Sequence, residues 1–495
     1  MSQMSNKPAV SDVSDPVPEG ISTEGVTPVL AVDLDGTLIR TDSLHEALLG
    51  LVARDPRMLI RLPGWFGGGR STLKAQVADH HVVPGEGLPY NEAVLETVRA
   101  ARNEGRRVAL VSAADQRQVA AVADHLGLFD EAHGSTPERN LKGPAKAQLL
   151  TERFGAAGFD YIGDSAADVA VWKVARRALT VSADATLRAR AAVANPDITH
   201  LAPPAPRGAA MLRAMRPHQW SKNALIFLPV LAAHELTTLG PVLLAFAAFC
   251  LTASAVYVIN DLLDLPSDRA HPRKRARPFA SGALPPRTGL AMAVGLLLGA
   301  ALLALAVAQG RFFLALGLYL VVTFAYSLRL KRELIVDVIT LAGLYTVRIV
   351  AGGAAAAVVL SPWMLGFSMF LFLSLAAVKR QAELTDQATT GRGSAGRAYE
   401  VDDLPVLRGM ALSAGYASVM VLALYISSPD VQQLYRSPTI LWGICPLLLY
   451  WVSRMVMVTH RGRMTDDPIV FAARDRTSLL VVAACVAVVF AAKLL

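Results

Sequence analysis

The sequence predicts two fold classes in one chain. Residues 28–200 read as an α/β domain with a parallel sheet, and residues 216–495 as an all-α polytopic membrane domain of about nine transmembrane helices. Three observations carry this. Short apolar runs alternate with helical patterns in the first part, as parallel sheets require. Long apolar runs lie almost entirely after residue 220. Hydrophobic residues reach 53% against 18% charged, so a large part of the 495 residues belongs in lipid. The net charge of +8 sits largely in loops between apolar runs. That points to membrane topology and anionic ligands, with no nucleic-acid partner. Cys250, Cys445 and Cys485 all lie in apolar runs and suggest neither a disulfide framework nor a metal site.

Residues 1–27 are rich in Ser, Pro, Asp, Glu and Val, without a basic segment followed by an apolar one. They are expected to be a disordered tail rather than a signal peptide. PVLAV then reads as a buried strand with DLDGTL at its carboxyl end. Open α/β sheets place their chemistry there. RRVALVSAAD, 106–115, is a second strand and carries Ser112. FDYIGDSAADVAVWKVA, 159–175, is a third, followed by Asp164 and Asp168. Lys146 opens the helical pattern KAQLL, with Lys142 as the alternative basic residue.

These motifs, in this order, resemble those of haloacid dehalogenase-like (HAD) phosphatases, which implies a Rossmann-like fold. By the resemblance Asp33 attacks phosphorus and Asp35 is the acid and base. Gly36, Thr37, Ser112 and Lys146 would hold the phosphoryl group. Asp33, Asp164 and Asp168 would hold Mg²⁺. Residues 40–87 are expected to form a small cap, with Arg70, Lys74 and His81 on its surface, contact with a second phosphate being the alternative. His125 reads as structural.

Residues 201–215 read as a linker, beginning with the Pro/Ala-rich LAPPAPRGAA. Apolar runs follow at about 223–237, 241–259, 289–309, 311–326, 335–352, 362–378, 405–427, 437–459 and 477–494. Loops 260–288, 327–334, 379–408 and 454–476 hold nineteen Lys and Arg, while the opposite loops hold Arg311 and Arg436. The basic loops and the N-terminal domain are therefore expected in the cytoplasm, with the C-terminus outside.

The second run ends in YVINDLLDLPSDRAHPRKRARPFASG, 257–282. Asn260, Asp264 and Asp268 are spaced i, i+4 and i+8, which lines one helix face with oxygen ligands suited to Mg²⁺. Pro266 should bend the helix, leaving Asp268 on a bent continuation. Arg273, Lys274, Arg275 and Arg277 follow, as a polyanion would need.

This stretch resembles the NDxxDxxxD motif of the UbiA superfamily of intramembrane prenyltransferases. Its basic extension, RPHQWSKN at 216–223 and YSLRLK at 326–331 resemble the branch that moves phosphoribosyl from phosphoribosyl diphosphate to a polyprenyl phosphate. The resemblance implies a Mg²⁺ site at Asn260, Asp264 and Asp268, with Asp264 catalytic. Arg273, Lys274, Arg277, Tyr326, Lys331, Lys379 and Arg380 would contact phosphates. Interfacial anchoring remains an alternative for the Trp220, Lys222 and Tyr326 segments. Ordinary family members show a second motif, DxxxD, where this chain has Lys379, Arg380, Glu383 and Asp386. That weighs against the alternative function, transfer of an isoprenoid chain to an aromatic or lipid acceptor. It likewise leaves a non-enzymatic scaffold as the weakest reading, since the acids of both motif sets are intact. The expected location is the inner (plasma) membrane. A homo-oligomer stays open, and Asp466, Asp467 and Asp475 receive no role.

Overall fold

The computed structural model describes residues 27–67, 69–201, 207–390, 398–464 and 467–495. The expected tail through residue 26, linker residues 202–206 and Asp466 lie outside the described residues. By contact the chain divides into two units. One takes in Met1–Ile39, Gly64–Glu86 and Tyr90–Pro204, the other Arg40–Pro63, Gly87–Pro89 and Ala205–Leu495. Residues 40–87, expected as one cap, are thus shared between them.

The first unit is a six-stranded parallel sheet. Its strands are β1 (Val29–Val32), β2 (Val108–Asp115), β3 (Glu131–Ser135), β4 (Phe159–Gly163), β5 (Arg177–Thr180) and β6 (Ile198–His200). They lie in the order β3-β2-β1-β4-β5-β6. β1 and β4 are buried along their whole length; β1 is an unbroken apolar run, while β4 carries Asp160, matched by Arg106 and Arg176. Helices cover the sheet, and local chemistry sets their ends. Asp115 caps the helix Gln116–Leu126 by accepting from the Arg117 amide, and Gly127 ends it with φ +61°. Phe159, Tyr161 and Trp172 fill the core. Because β1 lies between β2 and β4, the carboxyl ends of three neighbouring strands converge on one spot.

The second unit contains eight helices long and apolar enough to cross a membrane, among the described residues. They are Leu236–Leu263, Pro286–Val307, Gly310–Leu328, Val336–Ala356, Pro362–Thr389, Val401–Ile426, Pro438–His460 and Arg476–Leu494. The first and fourth are 61% buried and the last 17%, so the first and fourth are central and the last peripheral. Leu290, Val294, Leu298, Leu302 and Leu305 are exposed at helical spacing on Pro286–Val307. A bilayer covers such a stripe without cost.

Eight of the nine expected runs are long helices among the described residues. The run at 223–237 does not form a long helix. A 3₁₀ segment, Pro217–Phe227, leads into the short helix Leu228–Ala233, and His234 ends it with φ +57°. Pro229, inside the run, lacks the N–H that an α-helical ladder would use. The stretched geometry still has reach. At about 2.0 Å per 3₁₀ residue and 1.5 Å per α residue the segment spans roughly 31 Å, about the thickness of a hydrocarbon core.

Close helix packing rests on small residues. A Cβ on Gly352 would stand 2.0 Å from the Ile226 carbonyl oxygen of the 3₁₀ segment. That neighbour is backbone and cannot swing aside. Gly352→Val should therefore destabilise the helical unit by about 2–3 kcal/mol. A thermal melt of the detergent-solubilised protein should show a clear fall in midpoint, while Gly295→Val, a position with open space, should not.

Candidate active sites

In the α/β unit the site forms at the carboxyl end of β1. Asp33 ends the strand, and its Oδ1 accepts from the Leu34 amide at 2.9 Å. The chain then turns through Gly36 at φ +76°, a conformation that L side chains rarely adopt. The turn also needs the bare Cα, since a Cβ there would stand 2.2 Å from Asp164 Oδ2. Asp35 is half-buried in this turn and Thr37 fully buried.

Lys146 donates to Asp33 Oδ1 at 2.8 Å and to the Tyr161 hydroxyl at 2.7 Å, and lies 3.6 Å from Asp168. Lys142, the alternative, is exposed. Tyr161 donates to Asp168 Oδ1 at 2.7 Å, while the Ser165 hydroxyl and amide hold Oδ2. Asp33, Asp164 and Asp168 each bring an oxygen within 4.8 Å of the others.

Three ionised carboxylates and one ammonium leave a net charge of −2, which one divalent cation neutralises. Burial pushes Asp33 and Asp164 above the ordinary carboxyl value; neighbouring carboxylates add to this and Lys146 opposes it. Burial opposes a charged Lys146, but Asp33 and Asp168 outweigh it and raise its pKa. A cluster that resists full ionisation alone fits Mg²⁺. Thr37 Oγ1 is buried without a hydrogen-bond partner among the described residues. Ser112 Oγ accepts from the Ala114 amide, leaving its proton to give. Both suit a phosphoryl oxygen. Lys74, expected on the surface, donates to the Ala113 carbonyl beside Ser112.

In the helical unit the acidic motif bends as Pro266 predicts. The helix Leu239–Leu263 ends at Asp264 and a short helix, Leu265–Ala270, continues. The turn connection survives, for the Asp264 amide donates to Asn260 and the Asp268 amide to Asp264. Asn260 Nδ2 donates to Ser327 Oγ at 3.0 Å, tying this motif to YSLRLK and leaving Asn260 Oδ1 to face a ligand. Asp264 is half-buried and makes no side-chain hydrogen bond or ion pair among the described residues. Buried Asp261 pairs with Arg216 and Arg277, and Arg277 also reaches Asp268 Oδ2 at 2.6 Å. Asp261 Oδ2 and Asp268 Oδ1 remain without hydrogen-bond partners. Oxygens on Asn260 and Asp264 and the two orphaned carboxylate oxygens are donors of the kind a cation takes, although among the described residues only Asp33, Asp164 and Asp168 are grouped at metal-ligating distance.

The expected phosphate contacts divide. Arg273 and Lys274 are exposed, and Lys274 Nζ lies 3.9 Å from Asp268. Arg277 is engaged between Asp261 and Asp268. Lys331 is half-buried in the 3₁₀ turn Leu330–Arg332. Arg380 departs from expectation. It is 1% exposed, and its guanidinium is taken up by Asp337, Glu383 and the Tyr326 hydroxyl. Tyr326 in turn donates to Asp337 at 2.8 Å. These two residues stabilise one another rather than face open space.

Lys379 behaves differently. It reaches Asp467 Oδ2 at 3.1 Å, and Lys222 reaches the same atom at 2.8 Å. Burial works against a charged Asp467, but Lys379 and Lys222 outweigh it and hold the carboxyl below its usual range. Arg348 lies nearby in sequence to Tyr345, which contacts Asp467, and it binds Asn223 Oδ1 at 2.8 Å. Sequence reasoning assigned nothing to Asp467, Arg348 or Asp337. The available signal was an ionisable residue inside or beside an apolar run, a marker of function or of obligatory pairing.

Asp33→Asn keeps the size of the side chain that the motif resemblance makes the nucleophile and loses its charge. Hydrolysis of p-nitrophenyl phosphate by the full chain should fall by at least about 10²-fold. Lys146→Met should cost about as much by removing a donor to the phosphoryl group. Chelation of divalent cations should abolish the same activity, and added Mg²⁺ should restore it.

The UbiA prenyltransferase family pattern matches residues 224–474, and that of haloacid dehalogenase-like hydrolases matches residues 30–173. The uncharacterized protein y4nM of Sinorhizobium fredii is 39% identical over 460 residues, 91% of this chain and 88% of that protein. The nodulation protein NoeC of Azorhizobium caulinodans is 38% identical over 54% of this chain and 88% of its own length. The decaprenyl-phosphate phosphoribosyltransferase of Mycobacterium tuberculosis is 33% identical over 59% of this chain and 96% of its own length. With the spans and both motif sets in place, the chain belongs to the UbiA prenyltransferase family and carries a haloacid dehalogenase-like domain ahead of the membrane domain.

Proposed function

We propose that the chain is a two-site membrane enzyme. Its helical unit transfers 5-phosphoribosyl from phosphoribosyl diphosphate to a polyprenyl phosphate, and its α/β unit removes the 5-phosphate of the product. The observation that carries this reading is Lys379. It stands where an ordinary prenyl-diphosphate enzyme would offer a second acidic motif, and with Lys222 it puts two cations on one carboxylate. That surplus of positive charge suits a donor with a further phosphate. Similarity across 96% of a decaprenyl-phosphate phosphoribosyltransferase supports the same donor and acceptor classes.

In the transfer step the bond from ribose C1 to the diphosphate oxygen breaks, and the diphosphate leaves with the electron pair. An oxygen of the polyprenyl phosphate bonds to C1. Mg²⁺ held by Asn260, Asp264 and Asp268 would supply positive charge against the leaving diphosphate. Asp268 would exchange part of its contact with Arg277, freeing Arg277 and its neighbours Arg273 and Lys274 for phosphate oxygens. At the second site Asp33 attacks phosphorus, and the ribosyl 5-oxygen leaves with a proton from Asp35. Asp35 then takes a proton from the water that splits the aspartyl-phosphate, releasing inorganic phosphate. Ser112, Thr37 and Lys146 hold the phosphoryl oxygens meanwhile.

We place the protein in the plasma membrane with the basic loops and the α/β domain in the cytoplasm. Those loops follow the first, third, fifth and seventh long helices. Eight crossings alone would put residue 236 on the face opposite them. A crossing through residues 217–233 returns residue 216 to their face, where a water-soluble donor can meet a lipid acceptor.

Membranes containing the chain, given labelled phosphoribosyl diphosphate and polyprenyl phosphate, should carry label into organic-extractable lipid. Transfer from geranyl or farnesyl diphosphate to an aromatic acid would overturn the reading in favour of prenyl transfer. Asp264→Asn should lower lipid labelling by about 10²–10³-fold in Mg²⁺. Asp33→Asn should still make the lipid but leave its 5-phosphate in place, a difference of one phosphate by mass spectrometry. Identical phosphorylated lipid from both proteins would separate the hydrolase from this product.

A further inference from the structure

Residues 40–63 follow the Asp33–Thr37 turn in sequence, yet they group with the helical unit. Three separate contacts hold them there. The carboxylate of Glu46, on the helix Ser43–Arg54, meets the guanidinium of Arg269 as a fork, at 2.9 Å to Nη1 and 2.6 Å to Nη2. The two side chains are 3% and 9% exposed, and the Thr41 hydroxyl also donates to Glu46 Oε1 at 2.6 Å. Leu49 packs against the cluster formed by Leu262, Leu265, Phe279 and Leu284, on both sides of Asp264 in sequence. Gly282 turns at φ +73°, and a Cβ there would lie 2.7 Å from Arg40 Cβ and 3.0 Å from Pro89 Cβ.

Arg269 occupies a special place. It follows Asp268 directly and precedes the exposed residues 271–276. Its Nε donates to the Ala280 carbonyl at 3.1 Å, beyond that loop. One side chain thereby joins both ends of the basic loop that carries Arg277, the residue bridging Asp261 and Asp268. A guanidinium this buried keeps its place only while its charge is matched, and Glu46 supplies the match in bidentate geometry.

We infer that Glu46 is a positioning residue for the transfer reaction: through Arg269 it holds the basic loop and Asp268 in the geometry that receives the donor diphosphate. The inference rests on the transfer reaction proposed above. It assigns to a segment lying between the phosphatase motifs in sequence a role in the other activity of the chain. Glu46 itself touches no substrate.

The test uses the full chain in detergent or membranes. Glu46→Gln keeps the shape and removes the charge. It should lower kcat/KM for phosphoribosyl diphosphate by about 10²-fold, the scale of a small misplacement of reacting groups. Glu46→Asp keeps the charge on a shorter arm and should lose less. Hydrolysis of p-nitrophenyl phosphate should stay at the unaltered rate in both, whereas a merely structural role would lower the two activities together. Trypsin supplies a readout independent of either reaction. Cleavage after Arg273, Lys274 or Arg275 should be several-fold faster in Glu46→Gln and Arg269→Gln than in the unaltered chain. Unaltered transfer in Glu46→Gln overturns the inference, as does a parallel fall in both activities. If the unaltered chain transfers no phosphoribosyl at all, the reaction reading fails separately, and the cleavage rates alone decide: equal rates in all three proteins overturn the clamp.

Discussion

Charge removed from water has to be matched, and both sites are built around that requirement. Moving an ionised group into a protein interior costs several kcal/mol unless partners compensate it. In the α/β unit Lys146 matches only part of the charge on Asp33, Asp164 and Asp168, and the remainder has the size and sign of one divalent cation. In the helical unit the matching is nearly complete at some places and incomplete at others. Arg380 is surrounded by Asp337, Glu383 and Tyr326 and serves the fold. Asp264, and the second oxygens of Asp261 and Asp268, are left over. The groups left over are the candidates for ligand contact, and the matched ones hold the surrounding fold together.

The two units meet the requirement in different solvents. The parallel sheet buries both faces of its central strands under helices and brings chemistry to their carboxyl ends, where the backbone turns into water. The helical unit has apolar surroundings on its outer face, so its polar groups collect inward and at the helix ends. Lys222, Lys379 and Asp467 come from segments more than 85 residues apart and form one cluster, buried at Lys222 and half-buried at Lys379 and Asp467. Such a cluster works only if the helices approach closely. The bare backbone of Gly352 against Ile226 provides that approach for the segment carrying Lys222.

That segment also shows how polar side chains and helix geometry are linked in a membrane. Lys222 and Asn223 are buried in a 3₁₀ run and turned to Asp467, Cys250 and Arg348. Pro229 removes a bond that an ordinary α-helix through the run would make. The 3₁₀ path trades hydrogen-bond geometry for length, so a stretch of seventeen residues covers what an α-helix would need about twenty to cover.

How much of this was legible beforehand differs from residue to residue. Motif spacing alone determined the strands leading to Asp33 and Asp164 and the bend at Pro266, because those depend on neighbours in the chain. Apolar run length determined the eight long helices, because lipid thickness imposes it directly. Apolar composition marks the run 223–237 as a span candidate but does not say whether its backbone is α or 3₁₀, since the two differ only in backbone bonding. The sequence favours Lys146 over Lys142 because Lys146 opens a helical pattern, while its contact with Asp33 needed the helix Pro144–Phe154 to be seated on the sheet. The inward fate of Arg380, the shared carboxylate of Asp467 and the pairing of Glu46 with Arg269 across 223 positions belong to tertiary structure alone. Charge pairing at such separation has no period and no local signature, and it exists only once the helices have packed.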